Sequence, residues 1–200
     1  EQLFDNKFEK TRLYTVSPME ELSQHKPDLI INIAASPFSY NKSGAKENIF
    51  RDKARKYGLP VISVNQTGAN TELIFDGASI IVDPRGEVYK KLPYFEECVE
   101  TFETEYIISG SGSAKVEIPD EIALIHKALV TGIRDYFSKS DLRSAILGLS
   151  GGIDSAVCLC LAKEALNSSN IRSLLMPSRY SSEQSVADAV ELSNRLKTKY

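Results

Sequence analysis

The first half of the sequence alternates apolar runs of strand length with charged segments. Residues 28–35 and 61–65 are rich in β-branched side chains, which is typical of strands. The first run shows no alternation, so we expect a strand that is buried on both faces. Between the two runs, residues 45–57 carry a predicted helix that ends at Gly58 and Pro60. We interpret the many charges of this helix as a solvated face.

The segments around this strand–helix–strand pattern are less regular. Residues 72–90 contain two apolar runs separated by a Pro-Arg-Gly turn at 84–86, which predicts a hairpin. A short helix is expected at 18–22, with Ser17 as its N-terminal cap. Residues 92–116 are first acidic and then rich in Ser and Gly, which is typical of a linker that buries little apolar surface.

The second half begins with a helix of period 3.6 and continues as an alternation of strands and helices. One predicted face of the first helix is apolar and is expected to lie in the core: Ile122, Ile125, Leu129, Ile133 and Tyr136 or Phe137. A strand at 145–147, a buried helix at 156–162, a strand at 170–177 and a helix from Ser182 to about Lys199 follow. Ser181 to Gln184 matches a capping box for the last helix. This order predicts an α/β fold that begins a doubly wound parallel sheet.

Candidate chemistry lies in the loop Gly148-Leu149-Ser150-Gly151-Gly152-Ile153-Asp154-Ser155, between the end of a strand and the start of a helix. The first N–H groups of a helix have no intrahelical partners and sit at the positive end of its dipole, so a phosphate is favoured there. Gly151 and Gly152 allow close approach of the backbone, while Ser150 and Ser155 add hydroxyl donors. Asp154 would repel phosphates unless a cation such as Mg2+ bridges them. The alternative is a Gly/Ser turn that only joins two elements.

Composition narrows the partners of the protein. Among 200 residues, 42% are hydrophobic and 26% are charged, and the net charge is -3. This balance indicates a globular protein and gives no reason to expect a nucleic acid or an anionic membrane as partner. Without an apolar run of membrane length or a signal peptide, we expect a cytoplasmic protein. The missing initiator Met and the end of the sequence directly after a helix favour a piece of a longer protein.

Isolated reactive side chains are interpreted as structural. Cys158 and Cys160 fall inside the predicted buried helix and are expected to be small core residues, because a C-x-C pair alone is not a usual metal pattern. Cys98 lies among glutamates that disfavour a thiolate, so we do not assign it as a nucleophile. A lone helical histidine, His126, is likewise assigned a structural role.

Two resemblances to known families meet in this chain. The loop from Ser150 to Ser155 lacks the lysine of a Walker P-loop and resembles the Ser-Gly-Gly-x-Asp-Ser loop of the N-type ATP pyrophosphatases. The stretches "PDLIINIAASPF" and "GLPVISVNQTGANTELIFDGASIIVDPRGEV" look like the latter half of a nitrilase-type glutaminase, an α-β-β-α sandwich. In this order, and with "LLMPSRYSS" after the loop, the chain from about Leu13 onward is similar to the glutamine-dependent NAD+ synthetases.

The resemblance implies an organisation and a reaction. Residues 1–91 would be the C-terminal part of a nitrilase-like glutaminase domain, 92–116 a linker, and 117–200 the N-terminal part of a Rossmann-like synthetase domain. The synthetase would use ATP to adenylylate nicotinic acid adenine dinucleotide, and ammonia from glutamine would displace AMP to give NAD+. The family also forms homo-oligomers.

Site residues follow from the same resemblance, position by position. Those expected to bind ATP are Gly148, Ser150, Gly151, Gly152, Asp154, Ser155 and Arg179, with Asp154 also holding Mg2+. Arg179 has an equally good interpretation as a surface arginine. Ser36 and Lys42 correspond to positions that hold the substrate glutamine, although Ser36-Pro37 also fits a plain strand-to-loop turn.

The catalytic Cys, Glu and Lys of such glutaminases cannot be placed in this chain. The family's Cys precedes the strand at 28–35, and residues 1–27 contain no Cys. We therefore expect that the chain alone neither hydrolyses glutamine nor makes NAD+. Alternatives are another amidotransferase with the same loop, such as a GMP or asparagine synthetase, and a non-catalytic nucleotide-binding module. A tRNA-modifying pyrophosphatase fits the loop but not the acidic balance.

Overall fold

The computed structural model describes residues 17–40, 43–111 and 119–200 and has an α/β fold. Its elements are α1 (Pro18–Gln24), β1 (Ile30–Ala34), α2 (Ser43–Tyr57), β2 (Val61–Asn65), β3 (Thr67–Asn70), β4 (Leu73–Asp76), β5 (Ile80–Val82), β6 (Val88–Lys91), α3 (Thr104–Ser109), α4 (Glu121–Lys139), β7 (Ala145–Gly148), α5 (Ile153–Ala165), a short 3-10 helix (Ser168–Asn170), β8 (Ile171–Leu174) and α6 (Glu183–Leu196). Two compact units result. The first comprises the described residues up to Gly68 and Leu73–Leu124, and the second comprises Ala69–Glu72 and Ile125–Tyr200.

A four-stranded sheet of order β1-β2-β5-β6 forms the centre of the first unit. β1 and β2 run parallel and are connected through α2, while β5 and β6 form the predicted antiparallel hairpin. The hairpin turn is built around Asp83, whose buried carboxylate accepts hydrogen bonds from the backbone N–H groups of Arg85 and Glu87, each at 2.9 Å. The predicted strand at 61–65, the helix before Gly58 and the hairpin turn at 84–86 are thereby confirmed. The run from 72 to the turn was expected to be one strand, but it forms two, β4 and β5.

Over β1, the described residues cover one face of this sheet only, whereas β5 is buried on both faces. The core of the unit contains Met19 of α1, Phe50 and Ala54 of α2, and inward-facing strand residues that include Ile30 and Val61. The opposite face of β1 carries Ile31 and Ile33, which are 60% and 84% exposed. The prediction of a strand buried on both faces is therefore wrong for the described residues, because they place an element over one face of β1 only.

The segment expected to be a linker is partly folded. Its described part contains α3 and two buried side chains, Tyr94 and Ile107, so it does bury apolar surface. Gly110 ends α3 in a left-handed conformation, with φ 66°. Residues 112–116 of the expected linker lie outside the described residues.

In the second unit, a parallel pair of strands is flanked by helices. β7 and β8 pair in register from Ala145 opposite Ile171 to Gly148 opposite Leu174. Beyond α6, Lys199 forms an isolated parallel bridge with Arg172 on β8. The core of the unit is formed by Leu149, Leu159, Ile171 and Ala189. The predicted sequence of strand, helix, strand and helix is confirmed.

Burial in α4 and α5 differs from three expectations. Among the predicted core residues of α4, Ile122, Leu129 and Tyr136 are exposed, and the buried side chains are instead Leu124, Ala128, Val130 and Thr131. α5 is not a buried helix, because Leu159 is its single buried residue. Cys158 and Cys160 are consequently exposed rather than core residues. The helix itself was predicted correctly, but its buried face, which contains Leu124, Ala128 and Thr131, is displaced from the predicted apolar stripe.

Both predicted caps differ in detail. Ser17 precedes α1, yet its side chain makes no capping hydrogen bond. α6 is capped by Ser182, whose Oγ accepts a hydrogen bond of 3.1 Å from the N–H of Ser185, so the box does not begin at Ser181. Within the described ranges, no helix combines the length and apolar character needed to cross a bilayer.

Candidate functional site

The loop between β7 and α5 is organised by hydrogen bonds among its own serines and glycines. The Oγ atoms of Ser150 and Ser155 are 3.1 Å apart, and Ser155 Oγ donates to the Gly152 carbonyl at 3.0 Å. Ser150 Oγ also accepts from the Gly152 N–H at 3.3 Å. Two hydroxyl groups therefore converge at the start of α5.

The first turn of α5 is suited to an anion. Gly152 occupies the N-cap position and provides no side-chain acceptor for the first N–H groups of the helix. Those groups form the positive end of the helix dipole, which stabilises a phosphate oxygen. Asp154 is exposed in the same turn.

The two glycines of the loop have different structural roles. Gly151 has φ +84°, and a Cβ at this position would lie 2.1 Å from the backbone oxygen of Ser185 on α6. Gly152 has φ -84°, and a Cβ there would meet Ser150 Oγ at 3.5 Å, an ordinary contact. Gly151 is thus required for the packing of the loop on α6, whereas Gly152 leaves space at the helix start.

A cavity of about 240 Å³ lies beside this loop within the second unit. The cavity is lined by Gly148 and Ser150 of the loop and by Met176 after β8. Ser181, just before α6, and Ser185, in its first turn, also line it. The carboxyl ends of both parallel strands therefore open into it, which is where ligands bind in open α/β sheets. Sequence reasoning missed Ser181 and Ser185; the serine-rich stretch after the second predicted strand was the available signal.

Of the seven candidate ATP-binding residues, Gly148 and Ser150 line this cavity, whereas Gly151, Gly152, Asp154, Ser155 and Arg179 do not. Arg179 is exposed, and its guanidinium lies over the Tyr180 ring, 4.8 Å from the centroid. In the part of the chain that the structure describes, no cluster of three or more His, Cys, Asp or Glu side chains could hold a metal ion. Mg2+ is commonly held by one or two carboxylates together with substrate phosphates, so the exposed Asp154 carboxylate fits a metal that arrives with a nucleotide.

The candidate glutamine residue Ser36 lies in the first unit, directly after β1. Its N–H donates to Asn65 Oδ1 at 2.8 Å, and its carbonyl accepts from Asn65 Nδ2 at 3.2 Å. Asn65 Nδ2 also donates to Asp76 Oδ1 at 3.0 Å. Lys42, the second candidate, lies outside the described residues.

A small cavity of about 50 Å³ lies next to this network. Ser36, Asn65 and Asp76 line it together with Lys46 and Lys91. Burial raises the pKa of the Asp76 carboxyl above its ordinary value, and the positive charges of the two lysines offset this only in part. The carboxylate thus has a desolvated environment with ammonium groups nearby.

Two charged residues of α2, Lys46 and Glu47, contribute to this polar region. The prediction that the charges of this helix form a solvated face is therefore wrong for these two residues. Lys46 Nζ donates to the Pro37 carbonyl at 2.9 Å, and Glu47 forms a largely buried ion pair of 3.0 Å with Lys91. Burial lowers the pKa of Lys91, but the interactions with Tyr94 and Glu47 outweigh it and raise the pKa overall.

The remaining reactive residues form no site. His126 on α4 is exposed, with Nε2 3.1 Å from Glu164 Oε2 of α5, so it makes a polar contact at the surface. Cys98 is exposed, and its Sγ lies 3.8 Å from Glu100 Oε1.

Comparison with known proteins first gives a family match for the second unit. Residues 125–200 match the family model described as NAD synthase, and they contain the whole loop, both parallel strands and the cavity.

Particular relatives extend the match to the first unit. A glutamine-dependent NAD(+) synthetase from Synechocystis sp. is 37% identical over 195 residues, covering 96% of this chain and 35% of that protein. One from Acinetobacter baylyi is 32% identical over 187 residues, covering 92% and 34%. The structure of glutamine-dependent NAD+ synthetase from Acinetobacter baumannii in complex with ADP matches with a TM-score of 0.82 and 31% identity, covering 90% of this chain and 34% of that chain.

These matches confirm the resemblance to glutamine-dependent NAD+ synthetases. The chain spans about a third of the length of these relatives.

Proposed function

We propose that this chain is part of an enzyme that makes NAD+ from nicotinic acid adenine dinucleotide, with ATP as energy source and glutamine as ammonia donor. The observation that carries the proposal is the loop from Ser150 to Ser155, which joins a parallel strand to an uncapped helix start beside a cavity. Its family match to NAD synthase favours this reaction over GMP or asparagine synthesis.

The loop residues would bind the phosphates of ATP. Gly151 and Gly152 bring the backbone close to α5, and the first N–H groups of that helix would donate to phosphate oxygens. Ser150 and Ser155 hydroxyls would add donors, and Gly148 would line the nucleotide cavity. The relative from Acinetobacter baumannii was solved with ADP, which supports an adenine nucleotide as ligand.

Asp154 and Arg179 would complete the nucleotide site from outside the cavity wall. The Asp154 carboxylate would hold Mg2+, which when bound supplies positive charge to the phosphates. Arg179 would reach a phosphate from the loop after β8, because a guanidinium binds phosphate through two hydrogen bonds. The adenylylated nicotinate carboxylate would then react with ammonia and release AMP.

The first unit would belong to the ammonia-producing half. Ser36, in the loop after β1, and Lys42 would hold the substrate glutamine. We place the catalytic Cys, Glu and Lys at no residue of this chain. The proposal also includes the organisation of the family. A nitrilase-like sandwich would end at residue 91, and a doubly wound Rossmann-like sheet would begin at residue 117. A cytoplasmic homo-oligomer also remains a prediction.

The test is calorimetric titration of ATP, with and without Mg2+, into this chain and its Asp154→Ala variant. We expect tighter binding with Mg2+ in the unmodified chain and loss of that difference in the variant, because the variant lacks the only carboxylate in the first turn of α5. Glu121→Ala is the matched control, since Glu121 is an acid in the first turn of α4. Mg2+ dependence that survives in Asp154→Ala would contradict the assigned role.

A further inference from the structure

The loop after β1 is held by a polar network that comes from a neighbouring strand. β1 and β2 are parallel, and their last residues, Ala34 and Asn65, lie opposite each other. The side chain of Asn65 therefore reaches the first residues beyond β1. Both backbone polar groups of Ser36 are bonded to this one side-chain amide, at 2.8 Å and 3.2 Å.

Asp76 adds a third hydrogen bond to the Asn65 amide and favours the same amide orientation as the two bonds to Ser36. An ionised carboxylate accepts hydrogen bonds and cannot donate, so the 3.0 Å contact with Asp76 Oδ1 requires the NH2 group of Asn65. The carbonyl oxygen of the amide then faces the Ser36 N–H. In the opposite orientation, the NH2 group would face the Ser36 N–H, and the oxygen would face both the Ser36 carbonyl and the carboxylate. All three hydrogen bonds would then be lost.

Asp76 is itself held firmly. It is 5% exposed at the end of β4, and its backbone carbonyl accepts from the Phe95 N–H at 2.9 Å. Phe95 packs edge-on against Phe38, with ring centroids 5.3 Å apart. The Phe38 N–H in turn donates to the Ile74 carbonyl of β4 at 2.7 Å. The segment from Ser36 to Phe38 is therefore fixed at both ends.

We infer that Asn65 and Asp76 are positioning residues of the glutamine site, which hold Ser36 in the conformation that binds the substrate. This inference rests on the proposed role of Ser36 in glutamine binding. The alternative is that the buried amide and carboxylate only stabilise the fold. A positioning role predicts a selective loss of glutamine use, because the reaction with free ammonia does not need the site.

Steady-state kinetics of the complete enzyme would separate these roles, with NAD+ formation measured from glutamine and from ammonium chloride. For Asn65→Ala we expect the KM for glutamine to rise by about tenfold or more, while the ammonia-dependent rate stays within about twofold. Asp76→Ala should raise the KM for glutamine in the same way. Asp76→Asn should raise it less than Asp76→Ala, because the amide oxygen of the new side chain can still accept from Asn65.

Asn32→Ala is the matched control. Asn32 lines the same small cavity and donates to Ser63 Oγ at 3.2 Å, a bond that does not involve Ser36. It should leave the KM for glutamine unchanged. An equal loss with both nitrogen sources in Asn65→Ala, or an equal KM effect in Asn32→Ala, would assign Asn65 a structural role only and overturn the inference.

Amide hydrogen exchange of residues 34–40 gives a second readout that does not depend on the reaction. Asn65→Ala should lose protection in this peptide and Asn32→Ala should not, because only Asn65 accepts from the Ser36 N–H. If the complete enzyme makes NAD+ with neither nitrogen source, the proposed function fails, while the exchange comparison still decides whether Asn65 holds the loop. Unchanged protection in Asn65→Ala would overturn the inference.

Discussion

At the scale of single residues, Gly151 is where the candidate nucleotide loop meets α6. We expect Gly151→Ala to destabilise the chain by about 3 kcal/mol, because the added Cβ would lie 2.1 Å from the Ser185 oxygen at a backbone φ of +84°. Gly152→Ala should cost about 1 kcal/mol or less. Urea unfolding followed by far-UV circular dichroism measures both, and equal losses would contradict the assignment.

Asp76 gives the second residue-scale prediction, a dependence of stability on pH. Its pKa is raised in the folded state from an ordinary value of 3.8, chiefly by burial, with Lys46 and Lys91 as the nearby charges. The folded state therefore binds the proton more tightly, so this contribution to stability is fully present below pH 3.8 and is lost as pH rises through the folded pKa.

The measurement compares the chain with its Asp76→Asn variant, which does not titrate at this position. As pH rises from 3 to 7, we expect the free energy of unfolding of the unmodified chain to fall relative to that of the variant, by at most about 1.4 kcal/mol per pH unit. A difference that stays constant over this range, or that changes in the opposite sense, would contradict the direction of the shift.

The candidate nucleotide-binding residues were easier to predict from the sequence than the residues that hydrogen-bond to the loop after β1. The loop serines and glycines are contiguous, so one stretch of sequence shows them together with the strand and helix that flank them. Asn65 and Asp76 are 29 and 40 positions from Ser36, and only the pairing of β1 with β2 brings the amide to the loop. The order of parallel strands was the missing information, because nothing local indicates it.

At the scale of elements, α6 begins at a residue one position later than its motif suggested. Ser182 Oγ accepts from the Ser185 N–H at 3.1 Å, whereas Ser181 Oγ accepts from the Ser178 N–H at 2.9 Å in the preceding turn. We expect Ser182→Ala to cost about 1 kcal/mol of stability and Ser181→Ala about half of that or less. Thermal unfolding by calorimetry tests this, and the reverse order would show that Ser181 is the cap.

Elements were predicted well where local signals agree. α2 ends at Tyr57, and the next residue, Gly58, has φ +64°. The hairpin turn at 83–87 contains Gly86 with φ +78°, so glycine positions marked both boundaries. α3 was missed because it has six residues and lies in an acidic and serine-rich segment. Its single buried side chain, Ile107, leaves no period to detect.

At the scale of the whole molecule, several apolar positions that the sequence pattern predicts to be buried are exposed. Ile33 on β1, Ile146 on β7 and Ile122 on α4 are 84%, 73% and 69% exposed. The non-alternating strand at 28–35 predicted burial on both faces, and the described residues cover one. The hydrophobic pattern of a segment indicates which positions can be buried, whereas their exposure depends on which other segments pack against them. The relatives are about three times as long as this chain.

We therefore predict that Ile33 is covered in the complete enzyme. Ile33→Ser should change the stability of this chain by less than about 0.5 kcal/mol, since its side chain already contacts water. In the complete enzyme it should cost about 3 kcal/mol, because a buried apolar side chain would be replaced by a hydroxyl. Ile30→Ser, on the covered face of the same strand, should cost about 3 kcal/mol in both proteins. Calorimetric unfolding of the four variants decides the matter: a similar small effect of Ile33→Ser in the two proteins would mean that this face of β1 remains open to solvent.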